Sequence, residues 1–183
     1  QKKENLKEKY LLFVGKRTGY KNFSSLLKAY SLSKKLQSDF KIKCFGGGKQ
    51  TKHESNFFSN LKIPYDKVDF LQGNDAKLAE LYRNATALVY PSKYEGFGLP
   101  ILEAMSLNCP VLCSNGSSLP EVGGDAVLYF NPNDTESILN SILSAVYSDS
   151  VLNNLIMKGR EQVKKFKLED CASSTLKLYK GLI

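Results

Sequence analysis

The sequence predicts an α/β protein with a doubly wound, mostly parallel sheet of about six strands. Apolar runs of strand length alternate with longer stretches whose apolar residues recur at helical spacing. Repeated β-α units place strands side by side with helices on both faces, so this alternation favours a parallel sheet. The 183 residues, 42% of them hydrophobic, are enough for one ordinary core, and we expect one domain over residues 1–183.

Each element follows from its local pattern. Apolar residues three and four positions apart predict helices that begin near Phe23, after Asp75 and after Asp134, and the two aspartates are candidate N-caps. From about Val151 the chain is predicted to be helical to its end, with an interruption near Phe166 to Leu168. The runs that predict strands are Tyr10 to Val14, Ile42 to Phe45, Val68 to Leu71, Ala87 to Tyr90, Val111 to Cys113 and Val127 to Phe130.

Charge and composition leave several partners open. The formal charge of +8 suits phosphate-bearing small molecules, an anionic membrane surface or nucleic acid equally well. The basic run from Lys158 to Lys167 is expected to be a solvated helix face, with membrane contact as the alternative reading. Aromatic residues are not interleaved with this run in the way that base stacking requires, so nucleic acid is not an expected partner.

Metal, disulfide and membrane-spanning classes receive little support. The four cysteines show no CxxC spacing, and the single histidine, His53, lies in a polar stretch where we expect it to be solvated. No apolar run approaches the length that spans a bilayer, and the first ten residues are too charged for a signal peptide. We therefore expect reduced thiols, no metal and a cytoplasmic location.

The loop after the first strand is the first candidate for ligand binding. In a doubly wound sheet, ligands bind beyond the carboxyl ends of the strands. Gly15 opens a loop that contains Arg17 and Lys21 and leads into a helix, so two cations and helix-start amides could meet one diphosphate. The loop matches neither GxGxxG nor GxxxxGK[ST], and a basic exposed turn is an equally good explanation of this segment alone.

Two later loops add to the candidate site. Gly46-Gly47-Gly48 permits positive φ angles and a close backbone approach to a ligand, although a flexible turn explains it almost as well. After the fourth strand, Gly96 and Gly98 precede a helix that should begin near Pro100 and leave amides open there. Glu95 then lies in the loop and Glu103 about one turn inside the helix, where carboxylates could accept hydrogen bonds from sugar hydroxyls. For either glutamate taken alone, the better explanation needs no ligand, with Glu95 as a surface charge and Glu103 as an ordinary helix residue.

These segments together resemble a known family. FVGKRTGYKNF, FLQGNDAKLAELYRNATALVYPSKYEGFGLPILEAM and CPVLCSNGSSLPEVGGDAVLYFNPND are similar to the C-terminal domain of retaining GT-B glycosyltransferases, in the large family 4 of bacterial sugar transferases. The most specific part is EGFGLPILEAM, in which a second glutamate follows the first after eight positions. Cys109 stands where relatives usually have a small residue before Pro110.

The resemblance implies a role for each candidate residue. Arg17 and Lys21 would neutralise the departing diphosphate, and Glu95 would contact the donor sugar as the third catalytic residue. Glu103 would hold the ribose hydroxyls. The remaining donor-binding residues that the resemblance implies are Gly15, Gly46, Gly47, Leu71, Gly96, Phe97, Gly98 and Leu99.

The resemblance also implies a reaction and its partners. A sugar would move from a nucleoside diphosphate, GDP or UDP, to a glycan or lipid-linked acceptor with retention of configuration and without a metal. The four-residue spacing from Arg17 to Lys21 resembles mannosyltransferases and favours a GDP-linked donor. The acceptor would bind on an N-terminal domain absent from this chain, so the isolated chain should be inactive. Synthesis of O-antigen or another lipopolysaccharide part, at the inner face of the plasma membrane, is the expected setting.

Two other functions remain open on the sequence alone. A nucleotide-sugar epimerase of the same architecture would also bind a nucleoside diphosphate, and a regulatory binding module would need no catalysis. The glycosyltransferase interpretation requires Arg17, Lys21, Glu95 and Glu103 to converge on one pocket at one edge of the sheet.

Overall fold

All six predicted strands form, and they pair in one sheet of the computed structural model, which describes residues 8–181. Two strands extend one residue beyond the predicted bounds, β2 at its start and β5 at its end. The prediction about the charged first residues falls mostly on 1–7, outside the described range. The strands are β1 Tyr10–Val14, β2 Lys41–Phe45, β3 Val68–Leu71, β4 Ala87–Tyr90, β5 Val111–Ser114 and β6 Val127–Phe130.

The strand order confirms the doubly wound fold. The order is β3-β2-β1-β4-β5-β6, and every neighbouring pair is parallel. The chain moves outward from β1 to β3 and then crosses back to place β4 on the other side of β1. At such a reversal the loops after the two central strands turn toward opposite faces and leave a crevice between them. The sheet therefore has its crevice at the carboxyl ends of β1 and β4.

The predicted helices form, with one correction at a cap. Asp134 caps its helix as expected, since its carboxylate accepts hydrogen bonds from the amides of Glu136 and Ser137 at 2.9 and 3.2 Å. The prediction that Asp75 is an N-cap was wrong. Asn74 has the extended backbone that a cap requires and accepts from the Lys77 amide at 3.1 Å, whereas Asp75 is already helical.

The described range contains nine α-helices, of which the sequence reading had not placed three short ones, α2, α3 and α6. The predicted interruption in the C-terminal helix is confirmed between α8 and α9. Residues 182–183, which were predicted to be helical, lie outside the described residues. The helices are α1 Phe23–Ser31, α2 Lys34–Asp39, α3 Lys52–Asn60, α4 Asp75–Asn84, α5 Leu99–Ser106, α6 Leu119–Gly123, α7 Thr135–Val146, α8 Asp149–Val163 and α9 Leu168–Lys180.

The sheet separates two apolar layers. In β1, Leu11 and Phe13 point into the layer that contains α1 and α7, while Leu12 and Val14 point into the layer that contains α4 and α5. This alternation is the period of two expected of a strand buried on both faces. Because β1 packs on both sides, the loop that follows it starts from a fixed point.

The structure bears on two predictions, the absence of a membrane-spanning segment and the exposure of the basic run. The described residues include no helix that is long and apolar enough to cross a membrane. The side chains of the basic run on and after α8 are exposed, as expected of a solvated face, and they are Lys158, Arg160, Lys164, Lys165 and Lys167.

The cap at Asp134 gives a direct test of the fold. Asp134→Ala removes the acceptor for two amides of α7, and we expect it to lower the free energy of unfolding by about 1 kcal/mol in urea denaturation. Asn140→Ala, on an exposed position of the same helix, is the control and should change it by less than about 0.5 kcal/mol. Equal effects of the two substitutions would contradict the capping assignment.

Candidate functional site

The crevice brings together the loops that follow β1 and β4. The β1 loop ends in a 3-10 turn, Gly19–Lys21, and the β4 loop runs from Pro91 to the start of α5. A hydrogen bond from the Lys93 amide to the Tyr20 carbonyl, 2.8 Å long, joins the two loops directly. Residues that are about 70 positions apart in the sequence are therefore neighbours at this edge of the sheet.

Lys21 and Glu95 form an ion pair in this crevice. The Lys21 ammonium donates to Glu95 Oε1 at 2.7 Å and to the Tyr90 hydroxyl at 2.9 Å. The two charged side chains are 16% and 11% exposed, so the pair is shielded but still reachable from solvent. Burial, followed by the hydrogen bond and charge of Glu95, raises the pKa of Tyr90 far above its ordinary value. Tyr90 therefore stays protonated beside the pair.

The shape of the β1 loop lets the Lys21 side chain reach Glu95. Asn22 adopts a left-handed conformation at φ 58°, and its side-chain amide donates to the carbonyls of Pro91 and Pro132 at 3.1 and 2.8 Å. The stem of Lys21 crosses over Gly15, where an added Cβ would lie 3.5 Å from Lys21 Cε. Gly15 has φ 124°, a conformation that residues with a side chain rarely adopt.

Two serines from the loop after β5 hold the backbone around Glu95. The Glu95 amide donates to Ser117 Oγ at 3.1 Å, and Ser117 Oγ donates back to the Glu95 carbonyl at 2.6 Å. Ser118 Oγ lies 2.9 Å from the Glu95 carbonyl and 3.0 Å from the Phe97 carbonyl. The sequence reading missed both serines because Asn-Gly-Ser-Ser looks like an ordinary turn and contains no signal of its distant partners.

The glycine turn after Glu95 leads directly into α5. Gly98 has φ 108°, and a Cβ there would lie 2.8 Å from a Leu119 side-chain atom, so this position requires glycine. The helix begins at Leu99, and the first amides of a helix have no acceptors within it. Phe97 and Leu99 are 43% and 60% exposed beside these amides, and Gly96 has open space where a side chain would be.

Glu103 lies one turn into α5 and has a separate partner. Its carboxylate accepts a hydrogen bond from the Tyr82 hydroxyl of α4 at 2.9 Å. Burial, and then the charge of Glu103, raises the pKa of Tyr82 above its ordinary range. The Tyr82 hydroxyl thus holds the carboxylate of Glu103, while Glu103 itself remains exposed. Glu95 and Glu103 thus have different partners within the chain. That they meet different parts of one ligand stays a prediction.

Arg17 differs from the expected arrangement. Its guanidinium makes no hydrogen bond to the Lys21–Glu95 pair and is bonded instead to Glu54 of α3, at 2.6 Å from Nε to Oε1. The Arg17 side chain is only 2% exposed. A buried guanidinium must find acceptors for its N–H groups, and Glu54 and nearby carbonyls supply them. The four expected side chains therefore do not line one pocket in this structure, so the predicted convergence was wrong for Arg17. The role expected of Arg17 at the diphosphate stays a prediction.

The loops after β1, β2 and β3 are joined to one another. The Gly15 amide donates to the Phe45 carbonyl at 2.9 Å, and the Gly46 amide donates to the Leu71 carbonyl at 3.0 Å. A Cβ on Gly46 would lie 3.4 Å from the Gly15 carbonyl oxygen. Gly15, Gly46 and Leu71 are thus adjacent at the sheet edge. Their common role in donor binding stays a prediction.

A cavity of about 730 Å³ lies beside this edge, between the start of α1 and the start of α3. Arg17, Gly47 and Glu54 line it, whereas Lys21 and Glu95 do not. His53 also lines it and is exposed, in keeping with the solvated position predicted from the sequence. Among residues 8–181, no group of three or more histidine, cysteine, aspartate or glutamate side chains could hold a metal ion. All four cysteines are free thiols.

Glu54 is the functional candidate that the sequence reading missed despite a local signal. Thr51 and Glu54 form a capping box, in which the Thr51 hydroxyl accepts from the Glu54 amide and the Glu54 carboxylate accepts from the Thr51 amide. The spacing T-x-x-E is a known helix-start pattern and could have placed α3. It could not have shown that the same carboxylate meets Arg17.

Comparison with known proteins identifies relatives of this chain. The chain is 50% identical to O-antigen chain mannosyltransferase B of Escherichia coli over 108 residues. These residues cover 59% of the chain and 28% of that protein. The chain is 40% identical to O-antigen chain mannosyltransferase RfbU of Salmonella typhimurium over 148 residues. These residues cover 78% of the chain and 39% of that protein. The chain thus spans well under half the length of these two relatives.

Solved structures show the same fold. A sucrose-phosphate synthase from Thermosynechococcus elongatus superposes with a TM-score of 0.82 at 25% identity, over 96% of this chain and 45% of that one. Staphylococcus aureus TarM, in a complex that contains UDP, gives a TM-score of 0.82 at 19% identity, over 94% of this chain and 36% of the TarM chain. The sequence profile described as Glycosyl transferases group 1 matches residues 1–162. The chain belongs to the glycosyl transferases group 1 family.

Proposed function

We propose that the chain is the nucleotide-sugar donor-binding half of a retaining glycosyltransferase. The observation that carries the proposal is the Lys21–Glu95 ion pair at the crevice between β1 and β4, in a member of the glycosyl transferases group 1 family. Ligands of doubly wound sheets bind at this position. The pair offers a cation for a diphosphate and a carboxylate for a sugar within 3 Å of each other.

The proposed chemistry is stabilisation of a departing diphosphate. When the bond from the anomeric carbon to the diphosphate breaks, the electron pair goes to the diphosphate and the sugar gains positive character. Lys21 neutralises the negative charge that develops on the diphosphate, and Glu95 faces the positive charge that develops on the sugar. The amides of Gly96, Phe97, Gly98 and Leu99 also surround the diphosphate. Backbone amides are already in place before the reaction and need no reorganisation, and this chemistry does not require a metal.

The nucleoside is proposed to lie over the adjacent strands. Glu103, whose carboxylate is held by Tyr82, would accept hydrogen bonds from the two ribose hydroxyls. Gly15, Gly46, Gly47 and Leu71 would form the wall on the side of the base. The spacing of Arg17 and Lys21 and the two mannosyltransferase relatives favour a GDP-linked donor over a UDP-linked one.

The whole protein is proposed to work in bacterial surface polysaccharide synthesis. The relatives are named as O-antigen mannosyltransferases, and this chain covers only part of their length. The acceptor, a glycan or lipid-linked sugar, is therefore proposed to bind on a separate N-terminal domain at the cytoplasmic face of the membrane. The exposed basic side chains of α8 are available for peripheral contact with anionic lipids.

Nucleotide binding tests the donor site. A ligand that binds only the folded chain raises its melting temperature, and we expect GDP to do so more than UDP at equal concentration. Lys21→Met should weaken GDP binding in calorimetry by roughly 10- to 100-fold because a charge-assisted contact is lost. Lys158→Met, an exposed lysine on α8, is the charge-matched control and should bind as the parent does. A melting temperature unmoved by either nucleotide would refute the donor site.

Sugar transfer tests the catalytic assignment. In a longer protein that includes the acceptor-binding domain, Glu95→Gln should lower kcat by about 100-fold or more and keep nucleotide affinity, because Glu95 acts on the sugar. Glu121→Gln, an exposed glutamate on α6, is the control. The 183-residue chain alone should transfer little or no sugar. Normal transfer by the Glu95 variant would move the assignment to a binding module without catalysis.

The serine contacts to the Glu95 backbone make a separate prediction. Ser118→Ala removes the hydroxyl shared by the Glu95 and Phe97 carbonyls, so the carboxylate should lose its fixed position. We expect kcat to fall by about 10-fold with a small change in melting temperature, since one misplaced group is enough for such a loss. Ser144→Ala, on α7, is the control. A kcat equal to that of the control would show that Ser118 does not position Glu95.

A further inference from the structure

All five N–H groups of Arg17 are occupied within the chain. Nε donates to Glu54 Oε1, one terminal nitrogen donates to the carbonyls of Gly46 and Gly48 at 2.8 and 3.1 Å, and the other donates to the Lys49 carbonyl at 3.0 Å and Glu54 Oε2 at 3.2 Å. A guanidinium has five donors in a fixed fork. In this arrangement none is left to donate to a phosphate.

Glu54 is itself held in place for this contact. Its Oε2 accepts from the Thr51 amide at 2.8 Å and from the Thr51 hydroxyl at 3.1 Å, so the carboxylate is anchored to the start of α3. Burial acts to raise the pKa of Glu54, but the hydrogen bonds from Arg17 and Thr51 outweigh it and the pKa lies below the ordinary value. The carboxylate is therefore a charged and fixed partner for Arg17.

The segment that Arg17 contacts consists largely of glycines, which have little conformational preference of their own. Gly46, Gly47 and Gly48 are three consecutive residues with positive φ, at 93°, 74° and 79°, and glycine is the residue with the greatest backbone freedom. A Cβ on Gly47 would lie 2.8 Å from a terminal nitrogen of Arg17, so the loop closes directly onto the guanidinium. The carbonyls on both sides of Gly47 are held by the same nitrogen.

The face of the guanidinium is also covered. Arg17 lies over the Phe70 ring of β3 at 4.6 Å, and Phe70 stacks on Phe58 of α3 at 5.9 Å. Moving Arg17 toward the crevice would break five hydrogen bonds and leave the Glu54 carboxylate without its cation. Removing one partner of a shielded, hydrogen-bonded ion pair is strongly unfavourable. The chain therefore favours the present position of Arg17.

We infer that Arg17 and Glu54 are positioning residues, which hold the loop of Gly46 to Lys49 in the shape that forms one wall of the donor site. Arg17 acts on the donor through this loop, and Lys21 is the side chain that meets the diphosphate. The inference rests on the proposed donor site for its effect on binding. Its effect on the loop is independent of any ligand.

The order of the loop tests the inference without a donor. Glu54→Gln keeps the size of the side chain and removes the charge that pairs with Arg17. The ¹⁵N order parameters of the amides of Gly46, Gly47 and Gly48 should fall from about 0.85 in the parent to below about 0.6. Glu161→Gln, which breaks an exposed ion pair with Lys164, is the control and should leave them unchanged. Unchanged order in the Glu54 variant would overturn the inference whether or not the chain binds nucleotide.

Nucleotide affinity separates this inference from its main rival. If Arg17 works through the loop, Glu54→Gln and Arg17→Lys should each weaken GDP binding by about 10-fold, and the double variant should be no weaker than either. If instead Glu54 withholds Arg17 from the diphosphate, Glu54→Gln should bind GDP more tightly than the parent, and that result would overturn the inference. Glu54→Asp, which keeps the charge but shortens the reach, replaces Glu54→Gln if the latter fails to fold. A parent chain that binds no nucleotide, with a loop disordered by Glu54→Gln, would refute the proposed function and keep the loop assignment.

Discussion

The adjacency of β1 and β4 is the constraint on which the site depends. Neighbouring strands from distant parts of the chain occur only where the winding of the sheet reverses, and the loops beyond them then leave a crevice. Lys21 follows β1 and Glu95 follows β4, so the strand order brings their two loops side by side. Contacts within and between these loops then bring the ammonium and the carboxylate together. Their partial burial makes each the other's required partner, and the hydroxyl of Tyr90, at the end of β4, accepts a further hydrogen bond from Lys21.

The two ion pairs of the site differ in what they can do. Lys21 and Glu95 are 16% and 11% exposed, and an ammonium with rotatable donors can exchange one acceptor for another. Arg17 is 2% exposed and has used all its donors. A fully bonded guanidinium over an aromatic ring suits a structural contact, whereas a shielded but reachable lysine suits a ligand. This difference supports our proposal that Lys21 contacts the diphosphate and that Arg17 fixes the shape of the loop.

Local patterns predicted the strands, the start of α5 and the candidate residues, because hydrophobic periodicity, glycine turns and charged loops can be recognised from residues close together in the sequence. The partners of those residues could not be predicted in the same way. Glu54 is 37 residues from Arg17, and Ser117 is 22 residues from Glu95, so their contacts depend on how the loops pack after the sheet has formed. Even a short-range choice went wrong at Asp75, where Asn74 has the backbone angles of the cap.

The central claim is that a nucleoside diphosphate binds where the loops after β1, β2 and β4 meet. Titration of the ¹⁵N-labelled chain with GDP-mannose, followed by amide chemical shifts, tests it residue by residue. The account predicts saturable shifts at Gly15, Lys21, Gly47 and Glu95 and through the first turn of α5. Shifts confined to the basic surface of α8 and α9, or no saturable shifts, would contradict it.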